Sequence, residues 1–317
     1  MTPGTTVATV ATGTPGRGAG PAHAGGDLAG GDAMRRWATI GAALLGVGVA
    51  GAAAVAAGTR RWTRETARAV RRLALPETAS AGAPRTYDPA QLAGLPAPVA
   101  RYLAFALRPG QPLVRRARVE HTGEFQAGAG RWQPFTSVEH FVVRPPGFVW
   151  DATIRAAPLV AVRVRDGYWN GEGSMRAAVA ALVPVASQRG TPEMAEASLQ
   201  RYLAEAPWVP TALLPSAGVR WTAVDDTVAR ATLVDGDVTA SVDFHFGASG
   251  EILRVSAVRW RDVRGTPVAT PWVARSWDYR RLGGMMVPTA GDVEWRPPEG
   301  PLPYWRGRVA RAEYEVE

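Results

Sequence analysis

From Val238 to Phe246 apolar and polar side chains alternate without a break, Val238, Ala240, Val242, Phe244 and Phe246 against Thr239, Ser241, Asp243 and His245. A period of two sends the two sets to opposite faces of a pleated backbone, so this segment predicts a half-buried β-strand. Similar runs recur at 114–125, 136–143, 147–155, 159–169, 218–224, 228–234, 251–262, 271–281, 285–296 and 304–316. Short turn-prone links such as Asp225-Asp226, Asp235-Gly236-Asp237 and Gly247-Ala248-Ser249-Gly250 join several of them as hairpins. The expectation is a mainly β chain: a long antiparallel meander of about eleven strands, half-barrel-like, packed on one or two helices.

Two helices break the pattern. Thr191 is a good N-cap, Pro192 suits the first helical position, and Met194, Ala195, Leu199, Tyr202, Leu203 and Ala206 form a stripe up to Pro207. A shorter helix is expected over 97–107, with Pro98 in its first turn and Val99, Tyr102, Leu103 and Ala106 on one face.

The amino-terminal part is different in kind. Residues 1–33 are rich in glycine, alanine and threonine and hold too little apolar bulk to offset the entropy of ordering, so they read as disordered. From Trp37 to Gly58 there is no charged residue in 22, and Arg35-Arg36 and Arg60-Arg61 bracket the run. That is the length of a membrane-crossing helix, and segment 34–58 is read as a single-pass anchor in the cell membrane. A cleaved signal peptide ending near Val55-Ala56-Ala57 is the competing reading. Residues 59–91 come next as a basic juxtamembrane helix and a linker, and 92–317 as the β-rich domain.

Charge placement removes one class of partner. The net charge is +8, but nine arginines against three acids fall in residues 1–72, which leaves the rest of the chain close to balance. Arg60, Arg61, Arg64, Arg68, Arg71 and Arg72 lie beside the apolar run, a placement that suits lipid headgroups and not nucleic acid. Six arginines after the run and two before it favour a cytoplasmic β-domain by the positive-inside rule.

Composition removes several chemistries. There is no cysteine, so there is no disulfide, thiolate nucleophile or cysteine-ligated metal cluster. Every basic residue is arginine, which also excludes a Schiff-base or P-loop lysine. No GxSxG, HExxH or Walker sequence occurs, and Gly171-Glu172-Gly173-Ser174 reads as a tight turn. No cofactor is implied.

Two sets of residues remain as candidates. His121 shares a strand face with Ala117, Val119 and Phe125, and His140 with Val138 and Val142. A hairpin loop over 126–135 would set Phe125 opposite Thr136 and so His121 opposite His140. Asp166 lies on the apolar face of its own strand, and the three together are a candidate metal or acid-base set for a hydrolase or metal-dependent enzyme. The second set is aromatic: ten of twelve tryptophans lie after residue 73, and Trp150, Tyr168, Tyr202 and Trp208 are expected to line a cavity for an apolar ligand. Arg201 and Glu205 have the spacing of a helical ion pair.

The phrases LPAPVARYL (95–103), WQPF (132–135), PGFVWDA (146–152), GEGSMRA (171–177), YLAEAPWVPTALLP (202–215), VRWTAVDD (219–226) and PYWRG (303–307) resemble a bacterial family of uncharacterised proteins of unknown function, which carry an N-terminal hydrophobic segment. The resemblance spans roughly 92–316 and implies no activity. In architecture alone, a long meander with inserted helices is similar to the half-barrel of lipoprotein-localisation carriers, and that likeness implies an extracytoplasmic domain with a lipid-holding cavity. The expected function is a membrane-tethered module that binds a lipid or other apolar small molecule, with membrane lipid as partner.

Overall fold

A computed structural model of the chain describes residues 29–73, 85–126, 130–158 and 160–316, with side chains described from residue 50 onward. Residues 1–28, most of the stretch read as disordered, lie outside it. Helix α1 covers Ala29–Leu73. Most side chains of the span read over 34–58 also lie outside the description, and among the described residues no helix is long and apolar enough to cross a membrane. Contacts divide the chain into two units at Ala52/Ala53, and the second, Ala53–Glu317, holds the sheet.

Among the described residues thirteen strands form one antiparallel sheet: β1 (Val114–Gln126), β2 (Trp132–Val142), β3 (Gly147–Ala157), β4 (Val160–Trp169), β5 (Glu172–Val179), β6 (Val183–Arg189), β7 (Arg220–Ala223), β8 (Val228–Asp235), β9 (Val238–Phe246), β10 (Ile252–Val263), β11 (Thr266–Leu282), β12 (Met285–Trp295) and β13 (Leu302–Val316). The order across the sheet is β6-β5-β4-β3-β2-β1-β13-β12-β11-β10-β9-β8-β7. The chain therefore walks from the middle of the sheet out to β6, crosses to the opposite edge at β7, and walks back until β13 pairs with β1. Helix α3 (Pro192–Glu205) makes that crossing and packs against β4 and β5 on one side and β9 and β10 on the other. For both sets to reach one helix the sheet must curl around it.

Two strands exceed the expected eleven. β5 and β6 fall between 172 and 189, where Gly173-Ser174 and Ala177-Ala178 give no bulky alternation and Pro184 sits in what proves to be the edge strand. Asn170 and Gly171, both at positive φ, make the turn into β5. Gly173 has a separate purpose: a Cβ there would lie 2.4 Å from the carbonyl oxygen of Met194, so its missing side chain lets α3 lie on β5.

The helices obey their sequence signals. The Thr191 hydroxyl accepts from Met194 N at 3.2 Å, and Leu199, Tyr202, Leu203 and Ala206 are buried. Helix α2 (Ala97–Ala106) buries Val99, Tyr102, Leu103 and Ala106 against β8, β9 and β12. This fills one part of the concave face with a continuous apolar core.

The outer face is covered as well. From Gly58 on, α1 lies on it, burying Trp62 and Leu73, while Arg60, Arg61, Arg64, Arg68, Arg71 and Arg72 keep at least part of their surface in water. Leu73 packs on Val142 and Val149. Asp151 on β3 accepts from Trp62 Nε1 at 3.1 Å and from the Thr66 hydroxyl at 2.6 Å, and Arg165 stacks 4.7 Å from the centre of the Trp62 ring.

That outer helix explains why the first hairpin differs from expectation. β2 has apolar residues on both faces, Phe135 and Phe141 on one, Val138 and Val142 on the other. The observed register sets Phe125 opposite Gln133, His121 opposite Ser137 and His140 opposite Arg118. It places the bulky Phe135 and Phe141 inside, opposite Gly123 and Ala117, and leaves Val142 outside under α1. The offset from the expected pairing is three residues, an odd number, so His121 and His140 stand on opposite faces of the sheet.

Candidate functional site

On the other side of α3 from the apolar core, the curled sheet encloses a cavity of about 750 Å³. Its walls are the inner faces of β3 to β5 and β10 to β13, with α3 and the turn after it as a partition. Phe148, Trp150 and Ile154 line one wall, Trp272, Trp295 and Trp305 the other. At the rim, Gln188 of β6 donates to Asp262 of β10, tying the edge strand to the far side of the sheet. Inward parity puts the aromatic rings here, because every second residue of each strand must face the concavity.

Polar groups enter this apolar space at two places. The first is on α3. Arg201 donates from Nη1 to Asp166 Oδ2 at 2.6 Å and from Nε to Glu205 Oε1 at 2.8 Å. Its guanidinium lies 4.9 Å from the Phe148 ring centre and 5.0 Å from that of Trp150, so the cation is held between carboxylates and π-faces. Burial alone would weaken its hold on the proton, but Glu205, Asp166 and Glu139 outweigh that and push the pKa above the ordinary arginine value. Burial raises the pKa of Asp166, and Arg201 opposes the rise.

Behind this trio lies Glu139, which is 1% exposed and has no ordinary donor to either carboxyl oxygen among the described residues. Burial first, then the neighbouring Glu205, pushes its pKa well above the usual carboxylate range. Ionisation of Glu139 is thus opposed both by its burial and by the charge of the carboxyl beside it.

His121 is also buried, with both ring nitrogens unpartnered among the described residues. Its ring centre is 4.3 Å from that of Trp208 and 6.0 Å from that of Trp305. Burial, and then the charge on Arg201, takes its pKa down to about 3, so the imidazole is neutral.

The second polar place is on β10, where Arg259 and Arg261 both line the cavity. Arg259 donates from Nη2 to the Ala197 carbonyl at 2.7 Å, and its guanidinium lies 4.5 Å from the Trp272 ring centre and 5.6 Å from that of Trp295. Burial lowers its pKa.

The positions expected from sequence divide between cavity and core. Trp150 and Trp208 line the cavity. Tyr168 and Tyr202 are packed in the core instead: the Tyr168 hydroxyl donates to Asp235 at 2.7 Å, and the Tyr202 ring stacks on Phe141 at 4.3 Å and 11°. Asp166 faces inward as expected but is taken by Arg201. His140 is turned outward, so His121, His140 and Asp166 do not converge, and among the described residues no group of three acidic or histidine side chains is placed to hold a metal. Glu139, Arg259 and Arg261 were not singled out by sequence. The available signal for the arginines is parity, since they continue the inward series Val255, Ala257.

No curated protein sequence matches the chain. Among solved structures it is similar to a LolA superfamily protein from Nitrosomonas europaea, at 10% identity and a TM-score of 0.30, over 70% of this chain and 93% of that one. It is similar also to a β-barrel-like protein of the domain of unknown function DUF1849 from Brucella abortus, at 9% identity and a TM-score of 0.29, over 64% and 98% of the two chains. Likeness of that degree says nothing of what this chain binds. The model of the family of unknown function DUF6920 matches residues 93–314, a stretch that holds all thirteen strands nearly to their last residue together with α2 and α3, and the chain belongs to that family.

Proposed function

We propose that the protein is a membrane-tethered binding module whose curled sheet holds a lipid or other apolar ligand. The observation that carries this reading is the cavity of about 750 Å³, faced by tryptophan, phenylalanine and aliphatic side chains. Ligand pockets fall at roughly 300–1,000 Å³ and are lined mainly by such residues, with a few placed polar groups. Trp150 and Trp208 are the contact residues in this reading; Tyr168 and Tyr202 shape the walls from behind. The tether is the uncharged run from Trp37 to Gly58, and the arginines of α1 that face water would sit at the headgroup level of a cell membrane as part of a single-pass anchor.

The test is mass spectrometry of solvent extracts from the purified full chain, together with uptake of a neutral fluorescent apolar dye. A stoichiometric lipid or saturable dye uptake supports the reading. Absence of both from folded protein overturns it. Recovery of the full chain in the soluble fraction without detergent would remove the tether and leave the cavity reading standing.

A further inference from the structure

We infer that the ligand is an anionic amphiphile, whose oxyanion headgroup is held by Arg259 and Arg261 while its apolar part fills the tryptophan-lined cavity. This deepens the cavity reading above and rests on it.

Charge balance singles out these two side chains. Of the cavity's arginines, Arg201 has Asp166 and Glu205, and Arg275 has Asp292 and Glu294, each within ion-pair distance. Arg259 and Arg261 stand two residues apart on the inward face of β10, and neither makes an ion pair among the described residues. The Nε of each is buried with no partner. Arg259 is only 8% exposed. A cation taken out of water without a counter-ion is costly, and such a group normally neutralises or pairs. Arginine does not neutralise in proteins, so an oxyanion from outside the chain is the partner that fits.

The surroundings specify where that anion sits. The Arg259 guanidinium lies 4.5 Å from the Trp272 ring centre and 5.6 Å from that of Trp295, Ala197 O accepts from Nη2 and the Tyr304 hydroxyl hydrogen-bonds the side chain, which leaves Nε, among the described residues, without a partner at the cavity wall. Tyr304 lines the same wall, and its hydroxyl oxygen accepts from Trp272 Nε1 at 2.9 Å and hydrogen-bonds Arg259, so its own proton remains for an incoming oxygen. Carboxylate and phosphate monoester share the chemistry required, oxygens that accept from an arginine fork. Apolar rings on the opposite wall take the chain.

The experiment uses the full chain loaded with a neutral apolar dye, challenged with four amphiphiles of one chain length, each below its micelle concentration: dodecanoate, dodecyl phosphate, dodecanol and dodecyltrimethylammonium. Dodecanoate or dodecyl phosphate should displace the dye at about ten-fold lower concentration than dodecanol, the worth of one charge-assisted hydrogen bond, and the cation should be weakest. Whichever of the two anions is tighter identifies the headgroup. In Arg259→Gln and Arg261→Gln the ratio of anion to dodecanol displacement, taken within each variant, should shrink toward parity. Equal displacement by anion and alcohol in the wild-type chain overturns the headgroup site while leaving the cavity reading intact; no dye uptake at all overturns the cavity reading first. Should Arg259→Gln fail to fold, the wild-type ranking and Arg261→Gln decide the matter.

Discussion

Arg201 on α3 and Asp166 on β4 are joined by a hydrogen-bonded ion pair of 2.6 Å inside a cavity otherwise faced by aromatic rings. The pair fixes the partition helix to the curled sheet. It also explains why a carboxylate on the apolar face of its strand belongs to the frame of the site and not to a metal centre.

Removing the cation should therefore cost more than the loss of one contact. Arg201→Met would leave the part-buried Asp166 and Glu205 without their partner, and the expected loss lies above the roughly 1 kcal/mol of a surface pair and at or below the about 3–5 kcal/mol of a fully buried one. Urea unfolding of the wild type and variant measures it. A change below about 1 kcal/mol, the scale of a surface pair, would show that water reaches the trio.

Burial of α3 is tested on its other face. Leu203 is completely buried in the apolar core, and Leu203→Asp would bring a carboxyl into that core with no donor to meet it. The expected loss is several kcal/mol, by thermal or denaturant unfolding. A melting temperature close to wild type would mean that the helix leaves the core without harm to the rest.

How much of this was legible in the sequence depends on how many faces each element presents. α3 has one apolar stripe and a capping threonine, so its limits and its buried side could be read directly. β9, with strict alternation, was equally plain. β2 was not: its two apolar faces are a consequence of α1 covering the outside, a contact between segments far apart in the chain that no local period encodes. The register error came from that, and with it the placing of His140 inside. Likewise Arg259 and Arg261 look like solvated residues near a strand end until the curl of the sheet turns that end inward.

Glu139 gives a pH dependence of definite sign. Its folded pKa lies well above its ordinary value, because of burial and the neighbouring Glu205, so the folded state holds a proton that the unfolded chain releases. Stability is full below about pH 4.5 and is lost as pH rises from there through the folded pKa, with a slope of up to about 1.4 kcal/mol per pH unit. Glu139→Gln removes the titration with little change of volume. The stability of the variant relative to the wild type should rise in denaturant unfolding as pH increases above about 4.5, and parallel curves from pH 5 to 9 would contradict the raised pKa.

His121 should show the opposite dependence. Its folded pKa of about 3 lies below the ordinary 6.5, because the ring is buried and Arg201 is close, so the unfolded chain takes up a proton that the folded state refuses. Its contribution to stability is intact above about pH 6.5 and is lost as pH falls toward 3, on the order of 5 kcal/mol over the whole window. Glu139 and Asp166, whose folded pKa values are raised, act in the contrary sense over part of that range, so the readout is a difference between variants and not the wild-type curve alone. His121→Leu removes two unpartnered ring nitrogens from the space beside Trp208. At pH 7 it should match or slightly exceed the wild type, by about 1 kcal/mol, since an unsatisfied buried polar group is exchanged for an apolar one. Below pH 6.5 the advantage should widen steadily as the wild-type imidazole is drawn toward protonation in the unfolded chain. A constant gap between the two proteins from pH 7 to pH 4, or an imidazole that titrates near 6.5 by NMR in the folded protein, would show that water or a hydrogen-bonding partner reaches His121 behind the tryptophan wall.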